Sequence, residues 1–357
     1  MSFPLYLVVP SWEKKSPELT NEGRIHLVDA LRGVAAVLVA LFHFTHGNPR
    51  FLSVGLLHSA GAYGWAGVDI FFVISGFIIP MSLHRSGYSV RNFFTFVWRR
   101  IVRLDPPYLV SIVVVIMLAY ASSMAPGFQG ERFVLSLPRL FLHIGYLNGF
   151  FGVPWYSDIY WTLAIELQFY LLMGLIYPLL VDRRDEIGTS VLALLALSGF
   201  AMSSPAYLTA WIFPFLMGIT AFRFRSGLVS LPVFLVQVLA ASAGTRATLG
   251  PLPFFETMIS TGAIAFVTMP PIRVVAFFGA ISYPLYLLHI TIGGRVINIA
   301  ARLQLTPAGK LGAVFAAFAL STAAAYVLHQ QVEVPAQRWS RRFTWKSPPG
   351  ARDTTHV

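Results

Sequence analysis

Arg32 and His43 stand eleven residues apart inside the apolar run LVDALRGVAAVLVALFHF, Leu27 to Phe44. A run of this length can cross a bilayer, since about 20 apolar residues at a rise of about 1.5 Å span the hydrocarbon. Eleven residues make almost three helical turns, which puts both side chains on one face, about 16 Å apart along the axis. Asp29, Ala36 and Ala40 share that face and Gly33 lies beside it. Small residues let a neighbouring helix come close. Ionisable ones inside a membrane helix are costly and mark function, so this helix reads as one wall of an active site.

Other segments carry chemistry of a different kind. WRRIVRLDPPY, Trp98 to Tyr108, sets Arg99, Arg100 and Arg103 within one helical turn of each other. Pro106–Pro107 is expected to break or redirect the chain there. Clustered guanidinium groups at a helix entrance suit bidentate phosphate binding, so a cytoplasmic ligand with several phosphates is implied. WYSDIYWTLAIELQFYLL buries Glu166 about two turns inside a rim of Trp155, Tyr156, Tyr160 and Trp161. That carboxylate needs a partner or a proton, and Tyr170 at i+4 can be the partner. The rim is either an interfacial belt or a stacking surface for sugars. GWAGVDIFFVISGFIIP holds Asp69 near its outer end and Ser75 further in; a membrane serine readily bonds its own i−4 carbonyl. In ISYPLYLLHI, Ser282, Tyr286 and His289 line one polar face, so Asp69 and His289 join the rim aromatics as candidate substrate contacts. His46, His58, His84, His143 and His329 show no comparable setting. No HExxH, P-loop or dinucleotide fingerprint is present, and no metal site is expected.

These residues must be held by membrane helices. The 357 residues are 56% hydrophobic and only 11% charged, with mean hydropathy +0.67, against about 25% charged in soluble domains. The absence of cysteine excludes disulfides, thiol catalysis and thiolate metal sites. A net charge of +11 fits a positive-inside bias and an anionic ligand better than nucleic acid. Ten spans are expected, at about 27–47, 64–83, 106–124, 159–181, 189–204, 206–222, 228–244, 256–270, 274–298 and 311–332. The interrupted stretch 133–151 reads as interfacial or re-entrant. With ten spans, Arg85 through Arg103, Arg183/Arg184, Arg223/Arg225, Arg273 and Arg338/Arg341/Arg342/Lys346 all fall on the N-terminal side. Both termini are therefore expected in the cytoplasm. The expected class is an all-α membrane protein, a polytopic bundle of about ten helices. The expected division is a cytoplasmic segment 1–26, without a cleavable signal peptide, a membrane domain 27–334 and a cytoplasmic tail 335–357.

Six segments in this order resemble the acyltransferase type 3 family of integral-membrane acyltransferases. They are DALRGVAAVLVALFH, GVDIFFVISGF, RRIVRLDPPY, YWTLAIELQFY, ISYPLYLLH and the terminal VEVP. The resemblance covers almost the whole chain. It implies transfer of an acetyl or other short acyl group from cytoplasmic acyl-CoA, a co-substrate and not a bound cofactor. The acceptor would be a hydroxyl of a surface or secreted carbohydrate, or of a macrolide-like small molecule. By position, Arg32 and His43 match the family's first-helix pair, Arg100 and Arg103 its Arg-x-x-Arg element, and Glu166 its acid. Two departures stand out: Leu167–Gln168 where many members have Glu-Gln, and two prolines after the arginines where many have one. The soluble esterase-like domain fused to some relatives is expected to be absent, so a second, extracytoplasmic transfer would need a separate protein.

The expected site then has Arg32, His43 and Glu166 as catalytic residues in a bacterial inner membrane, with the phosphates on Arg99, Arg100 and Arg103. A hydroxyl needs a base and histidine suits that role, although a transient acyl carrier is equally open. Glu166 is expected to orient the imidazole or relay its proton. Two rivals stand against this: a proton-coupled exporter of a carbohydrate or acid using Asp29, Glu166 and the histidines, and a non-catalytic scaffold. No paired repeats or matched broken helices favour the exporter.

Overall fold

The computed structural model describes residues 6–7, 26–125 and 132–345. Nearly all of the expected N-terminal segment, with Lys14, Lys15 and Arg24, and the end of the expected tail, with Lys346, lie outside the described residues. The described chain is helical. Its helices are α1 (His26–His46), α2 (Leu56–Gly61), α3 (Gly67–Arg85), α4 (Phe93–Ser123), α5 (Leu137–Ile144), α6 (Trp161–Leu180) and α7 (Asp185–Ala201). They continue with α8 (Ile212–Arg225), α9 (Leu231–Thr248), α10 (Pro251–Phe266), α11 (Arg273–Ala300), α12 (Pro307–Leu328) and α13 (Val334–Ser340). A two-residue strand, β1 (Tyr6–Leu7), pairs antiparallel with β2 (Val267–Thr268).

All ten expected spans coincide with helices. Seven helical stretches are long and apolar enough to cross a membrane; α7, α8 and α10 are shorter, at 17, 14 and 16 residues. At about 1.5 Å per residue, α8 reaches only about 21 Å of a hydrocarbon layer about 30 Å thick. It is buried along nearly its whole length instead. In lipid, helices associate by close packing and not by escape from water, and α8 meets α3 through glycines. A Cβ added to Gly218 would stand 2.7 Å from the Phe77 nitrogen. Phe215 fills the space beside this crossing, stacking on Phe72 and Phe169 with ring centroids 4.7 and 4.2 Å apart.

Two local expectations are corrected. Pro106 and Pro107 do not end a helix: α4 runs unbroken through both. They withdraw the donors that the carbonyls of residues 102 and 103 would use, and in the same turn Tyr283 Oη donates to Leu104 O at 2.8 Å. Arg223 is not an exposed orienting charge but fully buried. Its guanidinium donates to Asp185 O at 3.0 Å and to Thr189 Oγ1 at 3.3 Å, clasping α7. The 133–151 stretch contains only α5, whose eight residues span about 12 Å and cannot cross a bilayer. A π-helical turn, His329–Glu333, joins α12 to α13.

Candidate active site

The first helix sets the site. α1 lies along α11 and the two run parallel, meeting where a Cβ on Gly33 would come 3.0 Å from the Gly279 nitrogen. Ala36 and Ala40 are fully buried on the expected stripe. Arg32 projects into an inner cavity of about 110 Å³. Arg100, Arg103, Ser75, Thr162, Glu166, Tyr170, Tyr283 and Tyr286 also line it. Three arginines thus share a small space with one carboxylate.

Glu166 has its partner in that cavity. Tyr170 Oη donates to Oε1, as the i+4 spacing predicts. Ser75 Oγ donates to the same oxygen at 2.8 Å and not to its own helix, which is the stronger expectation from the sequence. Arg100 stacks its guanidinium over the rings of Tyr170 and Phe96, 5.5 Å from each centroid. Glu166 does not orient His43, because the hydrogen bonds described for the imidazole go elsewhere.

Toward the other side of α4, Arg100 and Arg103 also border a second cavity of about 150 Å³, with Arg99, Arg341, Gln337 and Trp345. Arg99 sits 4.8 Å over the Trp345 ring, and Trp345 Nε1 donates to Ser86 O at 3.0 Å. Glu333 is buried in the π-helical turn. It is within electrostatic reach of Arg103, and its carboxylate is held by His329 Nδ1 at 2.6 Å and Gln337 Nε2 at 3.0 Å. Arg103 Nε is buried without a hydrogen-bond partner among the described residues. This cavity is basic and has donors to spare for an anion.

His43 lies in the last turn of α1, beyond the inner cavity. Its Nδ1 is 2.8 Å from Val39 O and 3.1 Å from His289 Nε2. His289 is fully buried, so it contacts His43 and not an open cleft. Tyr286 links the two regions: it lines the inner cavity, bonds Thr162 Oγ1 at 3.0 Å and offers its carbonyl to His289.

The remaining candidates divide. Trp155 and Trp161 line an aromatic cleft of about 470 Å³, together with Trp211, Phe150 and Tyr146. Trp161 and Trp211 have ring centroids 4.4 Å apart, and Gln168 pins the far wall by bonding Ala206 O and Leu208 N. Tyr160 is fully buried with its hydroxyl on Ser111 Oγ at 2.8 Å, a position with no open surface for substrate. Asp69 is 2% exposed, faces Glu256 and borders none of these cavities. Sequence reasoning missed Ser75, Trp211, Gln337 and Trp345. Only Ser75, inside a motif, offered a signal. Among the described residues no three His, Asp or Glu converge as metal ligands would.

The class is now defined: a multi-pass membrane protein whose bundle holds a cavity, lined by three arginines and one carboxylate, between a basic cavity and a histidine pair. A family profile described as "Acyltransferase domain" matches residues 25–330. The chain belongs to this family of acyltransferases. It is similar to an uncharacterised protein of Haemophilus influenzae, 31% identical over 130 residues, covering 34% of this chain and 52% of that one. Nodulation protein 10 of Rhizobium leguminosarum bv. viciae is 32% identical over 165 residues, covering 42% and 43%. O-acetyltransferase OatA of Staphylococcus aureus is 32% identical over 165 residues, covering 44% and 25%. The chain thus spans about half or less of the length of these relatives. No solved structure matches.

Proposed function

We propose that the protein is a membrane O-acyltransferase that moves a short acyl group, acetyl in the simplest case, from acyl-CoA to a carbohydrate hydroxyl. The observation that carries this reading is one shared pair of side chains. Arg100 and Arg103 border both the basic cavity and the inner cavity that holds Arg32 and Glu166. A donor with phosphates at one end and a reactive thioester at the other fits that sequence of charges. Its phosphates dock on Arg99, Arg100, Arg103 and Arg341 by charge-assisted hydrogen bonds, and its arm extends past Arg32. His43 acts as the base toward the acceptor hydroxyl. Glu166 balances the arginines and keeps Tyr170 and Ser75 aligned along the arm. The aromatic cleft of Trp155, Trp161 and Trp211 receives the acceptor; its flat rings suit sugar faces. The O-acetyltransferase name of one relative and the basic mouth both support the reading, and the arginine clusters support a bacterial inner-membrane location with cytoplasmic termini.

The test is release of free coenzyme A from acetyl-CoA by purified protein in proteoliposomes, read with a thiol reagent. The chain contains no cysteine, so the background is clean. Label should appear as ester on added oligosaccharide. Label on a macrolide instead would change the acceptor. No thiol release, with carbohydrate carried across the vesicle wall, would replace the transferase by an exporter.

A further inference from the structure

We propose that His289 is the positioning residue of the site. It holds His43 in the one tautomer that leaves Nε2 free as a base, and it steadies the cation formed there. The inference rests on the reading of His43 as base and deepens it.

The argument is a chain of donors and acceptors. His289 Nδ1 lies 2.7 Å from Tyr286 O and 3.1 Å from Leu285 O. Carbonyl oxygens only accept, so Nδ1 carries the hydrogen. The ring is fully buried, and its described hydrogen-bond partners are two carbonyls and another imidazole. A neutral ring is what such surroundings hold, and in a neutral ring the other nitrogen has a lone pair. That nitrogen, Nε2, is 3.1 Å from His43 Nδ1, which also faces Val39 O at 2.8 Å. With acceptors on both sides, His43 Nδ1 carries a hydrogen. Its Nε2 is therefore left as the lone pair that can take a proton.

The same contact serves the transition state. As the acceptor oxygen bonds the acyl carbon and the carbon–sulfur bond breaks, the hydroxyl proton moves to His43 Nε2. It passes next to the departing thiolate sulfur, returning His43 to neutral. While His43 is a cation, its Nδ1–H is gripped by His289 and Val39 together. His289 exchanges no proton. In serine hydrolases a buried carboxylate orients the histidine in this way. At the apolar α1–α11 interface a carboxylate would carry a large desolvation cost, and a neutral imidazole avoids it. Asp158, in the loop before α6, is the acidic residue within electrostatic reach of the His43 ring.

Three variants test this. Glutamine places its amide oxygen where His289 has Nε2; asparagine is one carbon shorter and reaches only as far as Nδ1; leucine keeps bulk and offers no acceptor. Expected is a fall in kcat of about 10- to 100-fold for His289→Leu, the worth of a hydrogen bond to a charged group. KM for acetyl-CoA should not move. His289→Asn should fall with leucine, while His289→Gln retains most of the rate. Equal behaviour of the three overturns the proposal, and so does equal loss of folded protein, because a role in folding then explains the residue. His43→Ala separates the two levels. If it stays active, the reading of His43 fails; if it is inactive while the His289 series is flat, only the positioning role fails.

Discussion

Gly33 and Gly279 mark the crossing of α1 and α11, with room for no side chain between them: a Cβ on Gly33 would stand 3.0 Å from both the Gly279 nitrogen and Phe278 Cβ. The helices run parallel from there, and the same ten-residue interval leads from Gly33 to His43 and from Gly279 to His289. Equal rise along two parallel helices brings the two histidines to one level. The distance between the imidazoles is thus set ten residues away, by the absence of two side chains.

That relationship predicts the first outcome. Gly33→Val forces the helices apart and should destabilise the protein by about 1–3 kcal/mol, as overpacking usually does. It should also cost activity out of proportion to stability, because the separation propagates to the histidines. Thermal unfolding in detergent and the acyl-transfer rate, measured on the same preparation, check both. An unchanged unfolding temperature would mean that the crossing is looser than the geometry states.

The second concerns the inner cavity. Ser75 and Tyr170 both donate to one oxygen of Glu166, so Ser75→Ala and Tyr170→Phe each leave the other donor in place. Their effects on rate should not add; a coupling of about 0.5–3 kcal/mol is the range for residues in one network. A double-mutant cycle on kcat measures it. Strict additivity would separate the two hydroxyls functionally.

Much of this architecture was legible in the chain because hydropathy fixes helices one at a time. Every expected span is a helix, and the periodicity of α1 put Arg32 and His43 on the stripe that also holds the buried Ala36 and Ala40. The i+4 partnership of Glu166 and Tyr170 was readable for the same reason, since both lie on one helix. Contacts between helices were not. Ser75 and Glu166 are 91 positions apart, His43 and His289 are 246 apart, and a membrane serine has a local acceptor as a ready alternative. Pro106 and Pro107 misled because proline rules describe an isolated helix, whereas Tyr283 reaches across to the same turn of α4. Tyr160 misled in another way: an aromatic rim looks alike whether its rings face a cleft or, as here, a buried serine.

The third prediction tests the donor end. Arg100→Ala and Arg103→Ala should each weaken coenzyme A binding by about 1.5–3 kcal/mol, the scale of charged hydrogen bonds. Arg341 is exposed on the rim, and its removal should cost less. Higher salt should weaken binding in part, and more through Arg341 than through the half-buried Arg100 and Arg103. Calorimetry in detergent reads all of these. Unchanged affinity in both inner variants would reduce the arginines to a topology signal.

The fourth concerns orientation. The bond from Trp345 Nε1 to Ser86 O ties the last described residues to the loop after α3, so both must face the same side. On the proposed orientation the arginine content makes that side the cytoplasm. Cysteine at Val90, exposed in this loop, should resist an impermeant thiol reagent in intact cells. Cysteine at Ser53, exposed between α1 and α2, should react. The chain's own lack of cysteine leaves no competing thiol. Reversed labelling would invert the bundle and place the basic cavity outside.

The last prediction bears on the chemistry itself. His43 is held only by Val39 O and His289 among its described hydrogen-bond partners, so α1 does not depend on it for packing against α11. An alanine there leaves Gly33, Ala36 and Ala40 to make the interface. It removes a polar group from an apolar setting without a desolvation penalty, and leaves the His289 Nε2 acceptor unpaired at a cost of about 1–3 kcal/mol. His43→Ala should therefore insert and express near wild-type levels and bind coenzyme A with unchanged affinity, because Arg99, Arg100 and Arg103 lie at the opposite end of the bundle. Its transfer rate should fall by about two to four orders of magnitude, the usual worth of a positioned base. Burst kinetics add a second discrimination. A base gives no acyl-enzyme, whereas a carrier would accumulate label on His43 before the acceptor is added. Label trapped on the imidazole would keep the residue and change its role. Full activity of the alanine variant would remove His43 from the mechanism and leave the inner cavity, with Arg32 and Glu166, as the place to look for the base.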